Sequence, residues 1–465
     1  GLTIGGTGTG SVVIGNAANT YSGATWITRG KLSVGTLANG GVASSIGDSS
    51  ADASNLVLEG GTLSYTGGNV ATDRGFTLMR SGAVSEGTIE VTQSGTNLIF
   101  GGEVVSSDGA GLVKTGAGTL TLSNEDSSYT GITSIRGGTL AVTTLANGGA
   151  SSSSSANLVI GNGARLQYDG DTAESDRRFT LGTGTSGAAV SVTSSDTTLT
   201  LSGNAVGANN FVKEGAGTLV LAGNNTQNSN TVSAGTLRAG SGTAFGRDNG
   251  LMTVASGARL ELATFSNTVG GLLGSGTVDL GALGTRLTLN SRTAEFTGTI
   301  TGAGELAITG GAVQTLDGCN HTYTGATHIW GGTLSTNCIR NGSVASGIGA
   351  SSADSGYLQI GASGFLRYSG GDQVTDRGIT LPSGWGYVDV TQASTELEFE
   401  GDVVGAGGLA KRGLGTLILS GTNTHTTGTA VEAGTLIAGS AQALGSGYLW
   451  IHSGATVDMT GFSNT

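Results

Sequence analysis

Short runs in which apolar and polar residues alternate dominate the chain, for example TLTL at 119–122, LVLA at 219–222 and LEFE at 397–400. Alternation of this kind sends every second side chain to one face of a strand. Clusters of Gly, Asn, Asp and Ser between the runs supply the corners. Leu140, Ile160, Leu181, Leu201 and Leu221 follow one another at steps of about 20 residues, as do Leu334, Ile360, Leu381, Phe399 and Leu419 after one longer step. The pattern predicts an all-β solenoid of stacked coils whose inward Leu, Ile, Val and Phe form ladders between neighbouring strands. At this period the chain would make about 23 coils and a rod of roughly 110 Å.

A second, longer period lies over the first. The segment LVKTGAGTLTLSNEDSSYTGITSIRGGTL (112–140) returns at 211–237, 306–334 and 409–436, with a partial copy at 10–32. Tyr21, Tyr129, Asn228, Tyr323 and Thr426 mark equivalent places, about one hundred residues apart. They divide a single solenoid over 1–465 into repeat units at about 21–128, 129–227, 228–322 and 323–425, and a partial unit at 426–465. Between the copies, TDRGFTL (72–78), SDRRFTL (175–181) and TDRGITL (375–381) also correspond. Coils with an extra loop recur at 39–54 and 341–356, with a shorter version at 147–156. These loops are expected to project from one side, where a solenoid often binds.

Composition agrees with coils rather than helices. There are 88 Gly, one Pro and only 11% charged residues, while 37% of positions are hydrophobic. Chains with few Glu, Lys and Arg form few long helices. The net charge of −12 argues against nucleic acid as a partner, which would require a basic face. No stretch approaches the ~20 apolar residues of a membrane span, so no direct membrane insertion is expected. The sequence opens at Gly1 without a basic, apolar leader and so reads as a mature product or an excised fragment.

The GAGTLTLS…YTG…GGTL segment resembles the passenger-associated transport repeat of autotransporters, the type V secreted proteins. With the blocks between copies, the resemblance covers nearly the whole chain. It implies a right-handed parallel β-helix exported through the outer membrane of a Gram-negative cell and displayed there or secreted. Family passengers are mostly adhesins, aggregation factors or stalks that carry an enzyme. The resemblance carries over no catalytic residue, and neither a signal peptide nor a barrel is read in these residues.

Candidate chemistry is sparse. Gly47-Asp48-Ser49-Ser50 faintly resembles a serine-protease nucleophile loop, but the base such a serine needs does not precede it: the first histidine is His321. The Asp-Arg pairs at 73–74, 176–177 and 376–377 recur at one coil of each unit, which reads as a structural corner rather than a catalytic pair. GxGxxG spellings, as around Gly6, Gly8 and Gly10, are expected by chance in so glycine-rich a chain. Gly30-Lys31 is followed by Leu32, so no phosphate loop is present, and no cofactor or metal is expected. Cys319, His321, His328 and Cys338 have zinc-ligand chemistry on paper. The two cysteines stand about one coil apart, within disulfide range, and export favours that bond over free thiols or zinc.

Equivalence with Ile27, Ile135 and Ile329, taken as inward, turns Trp26, Arg136, His328 and Trp330 outward along one expected strip. Trp450 faces out between Leu449 and Ile451. Exposed Trp stacks on sugars or anchors a protein contact. The reading is a non-enzymatic surface adhesin whose side surface binds a host matrix protein, a glycan, or another copy of itself on a neighbouring cell. The alternatives are a structural stalk projecting another domain and a polysaccharide-degrading β-helix.

Overall fold

The computed structural model describes every residue except 7–9, 146–153, 155–156, 362 and 463–465. It divides into two units, Gly1–Asn228 and Ser229–Thr465, each a stack of short parallel strands. Together they make about 20 turns of parallel β-solenoid, close to the number expected. Three-residue 3-10 turns at Ala53–Asn55 and Ser355–Tyr357 accompany the strands. Among the described residues, no helix is long and apolar enough to cross a membrane.

In the first unit, one sheet stacks Leu2–Gly5, Thr25–Thr28, Leu56–Glu59, Phe76–Met79 and Val104–Val105. A second runs from Ser11–Ile14 through Lys31–Val34, Thr62–Tyr65, Glu86–Val91 and Gly111–Thr115 to Thr133–Ile135 and beyond. A third carries Asn97–Phe100, Thr119–Leu122, Thr139–Val142, Arg165–Tyr168 and Ala188–Val192. Inward side chains meet in register from coil to coil. Leu98, Leu120, Leu140, Leu166 and Val190 form one such ladder, and each is at most 1% exposed.

The five residues that mark the 20-residue step are all buried, but they belong to three ladders. Leu140 is on the third sheet, Ile160 pairs with Leu181 on the second, and Leu201 pairs with Leu221 on a fourth. The reason is that a full coil here is longer than the step: Leu140 stands beside Leu166, and Leu166 beside Val190.

Charge enters this core at places the alternation alone would mark as apolar. Lys114 sits between Ile89 and Ile135 in a ladder that continues to Ile160 and Leu181. Lys213 pairs with Val190, and Lys411 lies between Val388 and Val431. All three are at most 1% exposed. The Lys114 ammonium donates to the carbonyls of Thr115, Gly116 and Gly137 at 2.7, 3.0 and 3.0 Å. Lys411 does the same with Arg412, Gly413 and Ala433. Gly116, Gly215 and Gly413 have φ of 76°, 73° and 77°, the left-handed turn for which glycine is suited. The Lys-x-Gly-x-Gly-Thr-Leu spelling of the repeat thus describes a turn folded around an internal ammonium.

Burial pushes each of these lysines down to about 8. An unfolded lysine titrates near 10.4, so between pH 8 and 10 the unfolded chain holds more protons and stability rises with pH. The shift sets a ceiling of about 3 kcal/mol per lysine. Chemical denaturation at pH 7.5 and pH 9.5 should show the protein more stable at the higher pH. The gain should be absent when Lys114, Lys213 and Lys411 are all replaced by Met.

Candidate binding surface

The extra loops are built in rather than appended. Arg74 is 2% exposed and reaches into the loop at 39–54. Its Nε donates to the Ala38 carbonyl at 2.8 Å, Nη1 to Ser49 Oγ at 2.9 Å and Nη2 to the Gly47 carbonyl at 3.2 Å. Asp73 accepts the Gly40 N–H at 2.7 Å, and its own N–H donates to Asn39 Oδ1 at 3.1 Å. The copy at 341–356 repeats the pattern. Arg377 donates to the carbonyls of Arg340 and Gly349 and to Ser351 Oγ, while Asp376 accepts the Gly342 N–H. The Asp-Arg corners therefore hold these two loops through backbone carbonyls and N–H groups together with a buried serine, Ser49 accepting from Arg74 and Ser351 from Arg377. The loop at 147–156 lies, apart from Ser154, outside the described residues.

Ile27, Ile135 and Ile329 are fully buried, so their neighbours do alternate outward. The single strip expected of those neighbours is not what the first unit shows. Trp26 stands on the first sheet between Thr3 and Val57, half-buried, whereas Arg136 follows a strand of the second sheet. Equivalent segments thus lie on different sheets of one unit, because a repeat does not close on a whole number of turns. Arg136 is exposed and pairs with Glu86 at 2.8 Å. The fourth copy differs from its expected alignment by one residue. The hydroxyls of Tyr21, Tyr129 and Tyr323 bond Thr25, Thr133 and Thr327, and the corresponding bond to Thr429 comes from His425, not Thr426.

In the second unit His328 is only 4% exposed although it points outward. Its Nε2 lies 3.2 Å from Glu305 Oε2, and its ring centroid is 4.4 Å from that of Trp330. Arg286 pairs with the same Glu305 at 2.6 Å and lies over Trp330 at 5.4 Å. Burial, and then Arg286, push the His328 imidazole below its usual range, against the opposing pull of Glu305. Cys319 and Cys338 are joined by a disulfide with Cα atoms 5.5 Å apart. His321 is fully buried, and its Nδ1 accepts the Ile300 N–H. Among the described residues, no three His, Cys, Asp or Glu gather to hold a metal.

The Trp450 ring leans to 6.5 Å from that of Trp385. Trp385 and its neighbours Phe365, Tyr387 and Arg412 form a surface that sequence reasoning missed. Phe365 and Tyr387 stack at 4.3 Å with an interplanar angle of 10°, and Arg412 lies over both rings. The signal was the WGYVDV run at 385–390, whose aromatics alternate. What the run does not show is that Phe365 and Trp450 stand on the same sheet.

A model of the passenger-associated transport repeat matches at 7–34, 112–142, 211–239, 306–335 and 409–438. The "Adhesin BmaC autotransporter" of Brucella suis biovar 1 (strain 1330) is 51% identical over 468 residues, covering 98% of this chain. The chain belongs to the autotransporter passengers. An autotransporter passenger is exported through the outer membrane, to the cell surface or beyond. This passenger segment spans 13% of its relative's length. No solved structure matches it.

Proposed function

We propose that this passenger segment is adhesive: it holds the cell to a host matrix protein, a glycan or a neighbouring cell through its side surface, without chemistry. The observation that carries the reading is the 51% identity with an autotransporter named as an adhesin, sustained through 98% of the chain. Outward aromatic and arginine side chains on several sheets give such a surface stacking and hydrogen-bonding groups. A solenoid also multiplies contact area with length, because each added coil extends the same faces.

Competition tests it. Bacteria displaying the whole passenger should adhere to matrix-coated or cell-coated glass, or clump, and the soluble 465-residue chain should reduce that adhesion in a dose-dependent way. If the soluble chain does not compete at any concentration, the segment is a stalk that carries a binding domain located elsewhere.

A further inference from the structure

We propose that the outer face around Trp385, Tyr387 and Trp450 is a binding platform for a neutral glycan. This deepens the adhesive reading and rests on it. The sheet concerned stacks Phe365–Tyr368, Trp385–Val390, Gly408–Arg412, Gly428–Val431 and Tyr448–Ile451 in parallel. Its register aligns two outward rows. One is Trp385, Gly408, Gly428 and Tyr448; the other is Phe365, Tyr387, Ala410, Ala430 and Trp450. In these two rows, aromatic rings thus stand on both sides of two strands that contribute only Gly and Ala.

Small residues let the rings lie down. A Cβ at Gly408 would come within 2.7 Å of the Trp385 ring, so the indole rests directly on that glycine. Ala410 and Ala430 are 1% and 5% exposed despite pointing outward. Trp385 and Trp450 lean toward each other over this floor, with 30° between their planes. Beside them Arg412 lies against the Phe365–Tyr387 stack, 4.4 Å from the Tyr387 ring and 5.1 Å from that of Phe365. The platform is therefore fixed before any ligand arrives, which spares the ordering cost of binding.

Charge selects the ligand class. The third row across the same strands holds Arg367, Asp389 and Arg412, with Glu432 just beyond. Arg367 pairs with Asp389 at 3.0 Å, and Arg412 pairs with Glu432. Two cations and two anions leave the patch neutral within a chain of charge −12. A charged ligand would find no uncompensated partner there. Sugar hydroxyls would find both donors and acceptors, and the flat C–H faces of pyranose rings would find aromatic faces. Rings at both ends of a span of several strands suit a linear glycan of several residues better than a single sugar.

The test uses the 465-residue chain with Trp26→Phe and Trp330→Phe, which leaves Trp385 and Trp450 as its only fluorophores of that type. The probes are neutral hexasaccharides of glucose, mannose and N-acetylglucosamine, with a sialylated hexasaccharide as the charged comparison. At least one neutral probe should shift the fluorescence and saturate, with an affinity that changes less than about twofold between 50 and 500 mM salt. Immobilised on beads, the same probe should retain the wild-type chain. Tyr387→Ala should weaken that retention at least tenfold, and Tyr387→Phe, which keeps the ring, should restore it. Circular dichroism and thermal unfolding of each variant exclude misfolding as the cause. The proposal is overturned if no neutral probe binds, if only the sialylated one binds, or if Tyr387→Ala binds like wild type. If that happens while the soluble chain still competes for adhesion, the platform fails and the adhesive reading stands. If the soluble chain also fails to compete, both fail.

Discussion

Leu201→Asp is expected to unravel the coils around it, while Thr200→Asp, one residue away, is expected to change stability by no more than about 0.5 kcal/mol. Leu201 ends the strand Thr198–Leu201, is 1% exposed, and stands between Ser175 and Leu221 of the adjoining coils. Removing a buried leucine costs about 2–5 kcal/mol, and an unpaired carboxylate in its place costs several more. Thr200 points the other way and is half-buried. In a solenoid each coil is held by its neighbours alone, so the damage should be regional. Denaturation followed by circular dichroism should show an early step for Leu201→Asp, and proteolysis should cut near the substituted coil. Equal tolerance of both substitutions would refute the assigned inward and outward faces.

Arg377→Met is expected to release the loop at 341–356 without unfolding the strands beneath it. The guanidinium is 1% exposed and its acceptors all come from residues 340–351. A thioether matches some of its length but donates nothing. The Arg340 and Gly349 carbonyls and the Ser351 hydroxyl would then lose a charge-assisted bond in a buried place. The local cost should be about 3–5 kcal/mol, as for breaking a buried polar pair. Arg377→Lys should recover little, since one ammonium does not span acceptors that a planar fork reaches together. Limited proteolysis should cut Arg377→Met inside 341–356 and leave wild type intact there. Arg74→Met should do the same at 39–54. A loop that stays protected in both variants would show that it is held by something other than its arginine.

The contrast between these two predictions marks what could be read from the sequence. Strand alternation, coil stacking and the repeat family were legible because they rest on local period and near-verbatim recurrence. The Asp-Arg pairs were legible as corners, but not as the residues that hold the loops, since Arg74 and Asn39 are brought together only by the coil between them. The internal lysines were hidden by chemistry: alternation puts Lys114 inward, while its charge argues for the outside, and only the turn carbonyls resolve the conflict. The expected strip failed on arithmetic of turns, because a repeat in sequence need not be a repeat in azimuth. Trp450 was legible as outward, whereas its neighbour Trp385 is adjacent only through register.

The central claim, that this stretch of the passenger adheres rather than merely spaces, is tested most directly by substitution at constant length. Bacteria displaying the whole passenger should be compared with bacteria in which residues 1–465 are replaced by a parallel β-solenoid of equal length from an unrelated, non-adhesive protein. Both should display equal amounts at the surface, measured by an antibody to a distant part, and both should be scored for adhesion to host cells, matrix and each other. The adhesive reading predicts that the replacement loses most of the adhesion although reach and display are unchanged. Undiminished adhesion would contradict it and assign the segment to the stalk.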